Sequence, residues 1–169
     1  IDAMEVIWKR LEQTVLKAVD GLNQRELAWQ PGPEANSIGL ILWHLARSAD
    51  MAFQVDLQKK TQIWDEGKWG EKLGLSVKAQ EFGYGYTPDQ AAGFSVPPLS
   101  SLLEYFQTVS SSHLQYLRSL TPQKLEERIQ HRAFGEMTVA QEIELTAFHI
   151  SRHLGQIEYI RGLIRGANK

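Results

Sequence analysis

Four stretches of this chain share one constraint: their apolar residues recur at alternating steps of three and four. That spacing gathers them on one face of an α-helix, and such a face must be buried against another. The first stretch runs from about Asp2 to Asp20, with Met4, Trp8, Leu11, Val15, Ala18 and Leu22 on the stripe and Gly21 as the stop. The second follows Asn36-Ser37, either of which can cap a helix start, and reaches about Lys60 through Ile38, Leu42, Leu45, Ala49 and Ala52. The third runs from Leu99 to Leu120 through Leu102, Phe106, Val109, His113 and Tyr116, and Thr121-Pro122 ends it. The fourth opens at Thr138, which fits a capping box with Gln141, and carries Val139, Ile143, Thr146, Ile150, His153, Ile157, Ile160 and Ile164 before Gly166. Four such faces predict an all-α four-helix bundle, a single domain over residues 1–169.

The connections are uneven. Gln62–Pro98 is a long irregular segment rich in glycine, proline and aromatic residues, which predicts an ordered cover rather than a plain linker. Short helical turns are expected at Lys68–Leu73 and Pro88–Ala92, and Tyr84 and Tyr86 are expected to anchor the segment. The five tryptophans read as packing residues, and residues 122–137 as a connection with one helical turn.

Composition excludes several function classes. With 18 basic against 20 acidic residues, the chain has no surplus of positive charge for a phosphate backbone, so no nucleic acid is expected as a partner. There is no cysteine, hence no disulfide framework, thiolate zinc site or cysteine nucleophile. No apolar run approaches the roughly 20 residues of a membrane span, and Ile1-Asp2-Ala3-Met4-Glu5 does not resemble a secretory signal. The expectation is a cytoplasmic protein without a membrane partner.

Among five histidines, His149 and His153 stand four apart, on one helix face and on the apolar stripe. Both rings can reach one point, as when a helix gives two nitrogen ligands to a metal. His44, beside core Leu45 on the second helix, can turn towards the same seam. Three imidazoles would leave coordination positions open for water or substrate and would suit zinc, nickel, iron or copper. Two other metal patterns fail. Ile150 stands where a zincin needs glutamate, and no histidine has a glutamate three residues before it. The remaining polar candidates are weaker. Glu142 shares the His149 face and can orient an imidazole or act as a base, although a solvated charge near a helix start is the preferred reading. Gln156 can line a pocket. Arg47 can hold an anionic substrate or form a surface pair with Asp50. His113 reads as a core histidine that can border the pocket, and His131 as an exposed residue of a connection.

Ser37-Ile-Gly-x-x-x-Trp-His44-Leu-Ala-Arg47, His149-x-x-x-His153-x-Gly155-Gln156 and Leu102-Leu-Glu-Tyr105 together resemble the DinB/YfiT-like metalloenzyme superfamily. The resemblance spans essentially the whole chain. It implies an up-down-down-up bundle, a divalent metal on His44, His149 and His153, and a homodimer. It also implies a small-molecule substrate, with a low-molecular-weight thiol as co-substrate in some relatives. The expected function is a metal-dependent transferase or hydrolase. The alternative is a non-catalytic metal- or ligand-binding bundle, in which Asp65, Glu66 or Glu81 closes the site as a fourth ligand. A DNA-contacting role, suggested only by the family's name, is opposed by the charge balance.

Overall fold

The computed structural model describes residues 2–78 and 80–166; Ile1, Ala79 and residues 167–169 lie outside them. Four long helices dominate. They are α1 (Asp2–Val19), α3 (Ile38–Asp50), α7 (Leu99–Ser119) and α9 (Val139–Arg165), and α3 continues as π-helix through Met51–Leu57. Five short helices lie between them: α2 (Gln24–Ala28), α4 (Ile63–Glu66), α5 (Trp69–Leu73), α6 (Pro88–Ala92) and α8 (Pro122–Glu126). The starts are where the sequence places them. Ser37 accepts the Leu40 N–H, and Thr138 and Gln141 form the capping box that opens α9.

The helices pack in a ring, α1 against α7 and α9, and α3 against the same two. Trp8, Leu42, Leu45, Phe106, Val109, Ile150 and Ile157 belong to one continuous core. Burying such side chains contributes roughly 1.5–3 kcal/mol each. Two ion pairs tie the ends together. Arg118, in the last turn of α7, bonds Glu5 in the first turn of α1. Arg165, at the end of α9, bonds Glu26 and the Gly21 carbonyl just past α1. Gly39 lets the bundle close on its connection, because a Cβ there would collide with the Val96 side chain and press on the Leu27 carbonyl.

The all-α expectation needs correction. Residues 128–138 form an antiparallel hairpin, β1 (Arg128–His131) with β2 (Gly135–Thr138), which runs straight into α9. The helical turn expected in this connection is α8. The sequence hides the hairpin because its strands are four residues long and offer a single apolar cross-strand pair, Ile129 with Met137.

The long segment after the π-helix is an ordered cover, with α5 and α6 close to the expected turns. Trp64 and Trp69 are buried against Tyr105, and Trp43 packs on Tyr86 and Phe94. Two aromatic expectations fail. Trp29 is 40% exposed, and Tyr84 is 83% exposed, so of the two tyrosines it is Tyr86 that anchors the segment. A buried polar hub holds the cover down. Asp50 accepts the N–H groups of Ile63 and Trp64 at 2.9 and 2.8 Å and the Tyr105 hydroxyl at 2.8 Å. Arg47, fully buried, donates to Gln62 Oε1 at 2.6 Å and to the Glu81 carbonyl, and lies over the Trp64 ring. Arg47 and Asp50 are therefore interior residues and not a surface pair.

Candidate metal centre

α3 presents His44, and α9, packed against it, presents His149 and His153 one turn apart. One nitrogen from each ring lies within 4.8 Å of the others, and His44 Nε2 stands 3.0 Å from His149 Nε2. Two imidazoles bound at about 2.0–2.1 Å to one tetrahedral ion have their nitrogens roughly 3.3 Å apart. The spacing is thus close to that of neighbouring ligands.

The surroundings set the tautomers. His44 Nδ1 faces the Phe82 carbonyl at 2.5 Å and His153 Nδ1 faces Gln156 Oε1 at 2.6 Å. Those oxygens only accept, so each Nδ1 carries the proton and each Nε2 keeps its lone pair. Burial pushes the His44 ring down to about 4. Burial, reinforced by His44 and His153, pushes His149 down to about 3, and burial also lowers His153. Near pH 7 all three rings are neutral, the form that binds metal.

The rings border a cavity of about 760 Å³. Leu40, Ile41, Ala52 and Leu145 give it apolar walls, and Phe82, Tyr84, Phe134 and Phe148 frame it. The proposed closing ligands Asp65, Glu66 and Glu81 do not line it; Glu81 instead accepts the Tyr86 hydroxyl. The three histidines therefore face open space rather than a fourth acidic ligand.

The DinB superfamily profile matches residues 7–157. The chain belongs to the DinB superfamily. Its fold is shared with a conserved protein from Enterococcus faecalis, at TM-score 0.86 and 21% identity, covering 98% of this chain and 96% of that one. It is also similar to YfiT from Bacillus subtilis, described as a probable metal-dependent hydrolase with an unusual four-helix bundle topology. There the TM-score is 0.65 and the identity 17%, over 96% of this chain and 86% of the other. No curated protein matches the chain in sequence.

The other candidates separate into cavity and scaffold. Glu142 lines the cavity and is 1% exposed, which corrects its reading as a solvated charge. Burial raises its carboxyl to about 7. His131, expected to be exposed, is buried in the cavity wall, because the hairpin folds it over α9. Arg47 is in the hub and does not line the cavity, so it is not placed to hold a substrate. Gln156 is exposed and acts on His153 instead of lining the pocket. His113 is a core residue, stacked on Phe53 with centroids 3.8 Å apart and pushed down to about 3 by burial. Sequence reasoning passed over Ser48, Asp56 and Phe82. Ser48 was within reach of it, being one helical turn from His44.

Proposed function

We propose that this member of the DinB superfamily is a divalent-metal-dependent enzyme whose ion is held by His44, His149 and His153. The observation that carries the reading is the convergence of three neutral imidazoles at an open cavity, two of them with their tautomers fixed. Zinc, nickel and iron suit this donor set. When bound, such an ion supplies Lewis-acid activation of water or of a small thiol near neutral pH. The chain's own groups do the rest. Phe82 and Gln156 hold the His44 and His153 rings in register, and the apolar walls line the space a substrate would occupy. Without a cysteine, any thiol is a separate small molecule. Hydrolysis and thiol transfer both fit this apparatus.

The up-down-down-up order belongs to the same reading. It is supported by the Arg118–Glu5 pair, which joins the end of α7 to the start of α1, and by Arg165, which joins the end of α9 to the end of α1. A homodimer and a cytoplasmic location are proposed alongside it. Among the described residues no helix is long and apolar enough to cross a membrane. Light scattering tests the dimer.

Elemental analysis of purified, untagged protein tests the centre. The expected result is close to one transition-metal ion per chain, lost in a His149→Ala/His153→Ala variant. A loaded sample is then screened with esters and with thiol–electrophile pairs. Protein that stays empty after incubation with zinc, nickel and iron under reducing conditions overturns the metal reading and leaves the non-catalytic ligand-binding bundle.

A further inference from the structure

The cavity has a second polar wall that the histidine centre does not use. Ser48 stands one turn beyond His44 on α3, Thr146 one turn before His149 on α9, and Glu142 one turn earlier still. All three border the cavity and are buried, at 8%, 5% and 1% exposure. Neither Ser48 Oγ nor Glu142 Oε2 has a hydrogen-bond partner. His131 Nε2 is 3.7 Å from that carboxylate oxygen, beyond hydrogen-bond reach. Thr146 donates its proton to the Glu142 carbonyl at 2.9 Å, which leaves its oxygen as an acceptor. Buried polar atoms without partners are rare and costly, and two on one cavity wall call for a common complement.

The chemistry of that complement can be narrowed. Asp56 and Glu142, with His131, resemble a metal-ligand cluster. However, His131 Nδ1 accepts the N–H groups of Ala133 and Phe134 at 2.9 and 3.0 Å, so the neutral ring carries its proton on Nε2 and has no lone pair there to offer. Asp56 is already paired with Arg132. What remains is one carboxyl group, Glu142, on which Arg132 acts only from its place on Asp56, accompanied by hydroxyl oxygens that can accept. A group with several donors, no acceptor and one positive charge fits this set. With one Glu142 oxygen already contacted by Thr146, no bidentate carboxylate is offered to a planar guanidinium, and a compact three-donor ammonium fits better.

We propose that Glu142, Ser48 and Thr146 form a subsite for the protonated primary amine of a small-molecule substrate. The identity of its other end rests on the metal reading above. Along their helices Thr146, Ser48 and Glu142 stand about 4.5, 6 and 10 Å from a histidine of the centre, so the substrate carries its amine roughly 5–10 Å from its reacting group.

The test uses n-hexylammonium and n-hexanol, titrated calorimetrically into chelator-treated full-length protein, so that its outcome does not depend on metal loading. The expected result is at least tenfold tighter binding of the amine than of the alcohol. That preference disappears in Glu142→Gln and falls about threefold in Ser48→Ala. Intermolecular NMR contacts between the amine-bearing methylene and the Thr146 methyl group locate the site in the wild type, whether or not the variants fold. Equal binding of the two probes, no binding of either, or a preference kept by a folded Glu142→Gln variant overturns the proposal. So do contacts only at Tyr84 and Phe148, or a second zinc ion per chain that Glu142→Gln abolishes.

Discussion

Asp50 and Glu142 are both buried acids, one on α3 and one on the helix packed beside it, and they are treated in opposite ways. Each oxygen of Asp50 receives a backbone N–H, one also receives the Tyr105 hydroxyl, and Arg47 lies alongside. Glu142 has a 3.5 Å contact from Thr146 on one oxygen and no hydrogen bond on the other. Asp50 is enclosed by the cover, whereas Glu142 lies in the cavity wall, buried behind its surface. A buried carboxylate surrounded by protein donors is scaffold. One buried in a cavity wall with an oxygen unsatisfied is a place prepared for something else, and the difference shows only when partners are counted.

The largest effect should come from breaking the satisfied acid. Asp50→Ala removes the carboxylate beside buried Arg47 and frees the N-terminus of α4, at an expected cost of about 3–5 kcal/mol in urea denaturation. A loss below about 1 kcal/mol would mean that the hub does not fasten the cover.

Glu142 should respond mainly to pH. Its carboxyl is raised when folded, so the folded state holds the proton more tightly than the unfolded state. The resulting stability is fully present below about pH 4.5 and is lost as pH rises through about 7. Glu142→Gln removes that loss. Relative to wild type, the variant should gain about 2 kcal/mol between pH 5 and pH 8. Parallel stability curves for the two proteins would show that Glu142 is not desolvated.

His113 offers a third case, a buried polar group enclosed by the core and away from the cavity. Its folded pKa lies below the unfolded value, so stability is complete above about 6.5 and is lost as pH falls towards about 3. His113→Phe should therefore remove about 2 kcal/mol of the acid sensitivity between pH 8 and pH 5. The smallest effect belongs to Ser48→Ala. It removes a hydroxyl that bonds nothing in the protein and should change stability by no more than about 0.5 kcal/mol. A larger loss would place Ser48 with Asp50 in the scaffold.

Much of this fold is written locally. The four stripes, the Ser37 cap, the Thr138–Gln141 box and the Pro88 turn depend on neighbours within one or two helical turns, and each is where the sequence puts it. The pairing of His149 with His153 was legible because periodicity fixes which face a residue occupies, whereas His44, one residue off its helix's stripe, joined them mainly through the family resemblance of its motif. Burial of polar groups was not. Glu142 is a helix-start acid by position, and only the hairpin laid across α9 turns it into an interior one. His131 lies in a segment with almost no strand signal, and its burial is a tertiary event. Arg47 and Asp50 have the look of an ordinary surface pair, since nothing nearby in the sequence announces that the cover will close over them. Glu142 was nevertheless within reach, because it sits four residues before Thr146 on the stripe that holds His149.

The cover meets α3 at two consecutive points: Arg47 grips the Glu81 carbonyl and His44 the Phe82 carbonyl. Both fastenings use main-chain oxygens, which every amino acid carries. The Phe82 ring also stacks on the His44 ring, with centroids 5.7 Å apart, and the Glu81 side chain bonds the Tyr86 hydroxyl, so the freedom to change lies further along the rim, at exposed Tyr84. A rim fixed through its backbone can exchange its side chains while the centre beneath keeps its geometry, so new substrate preferences are accessible here by few substitutions. A library randomised at Tyr84 and Phe134, both exposed at the cavity mouth, is where that versatility should first appear.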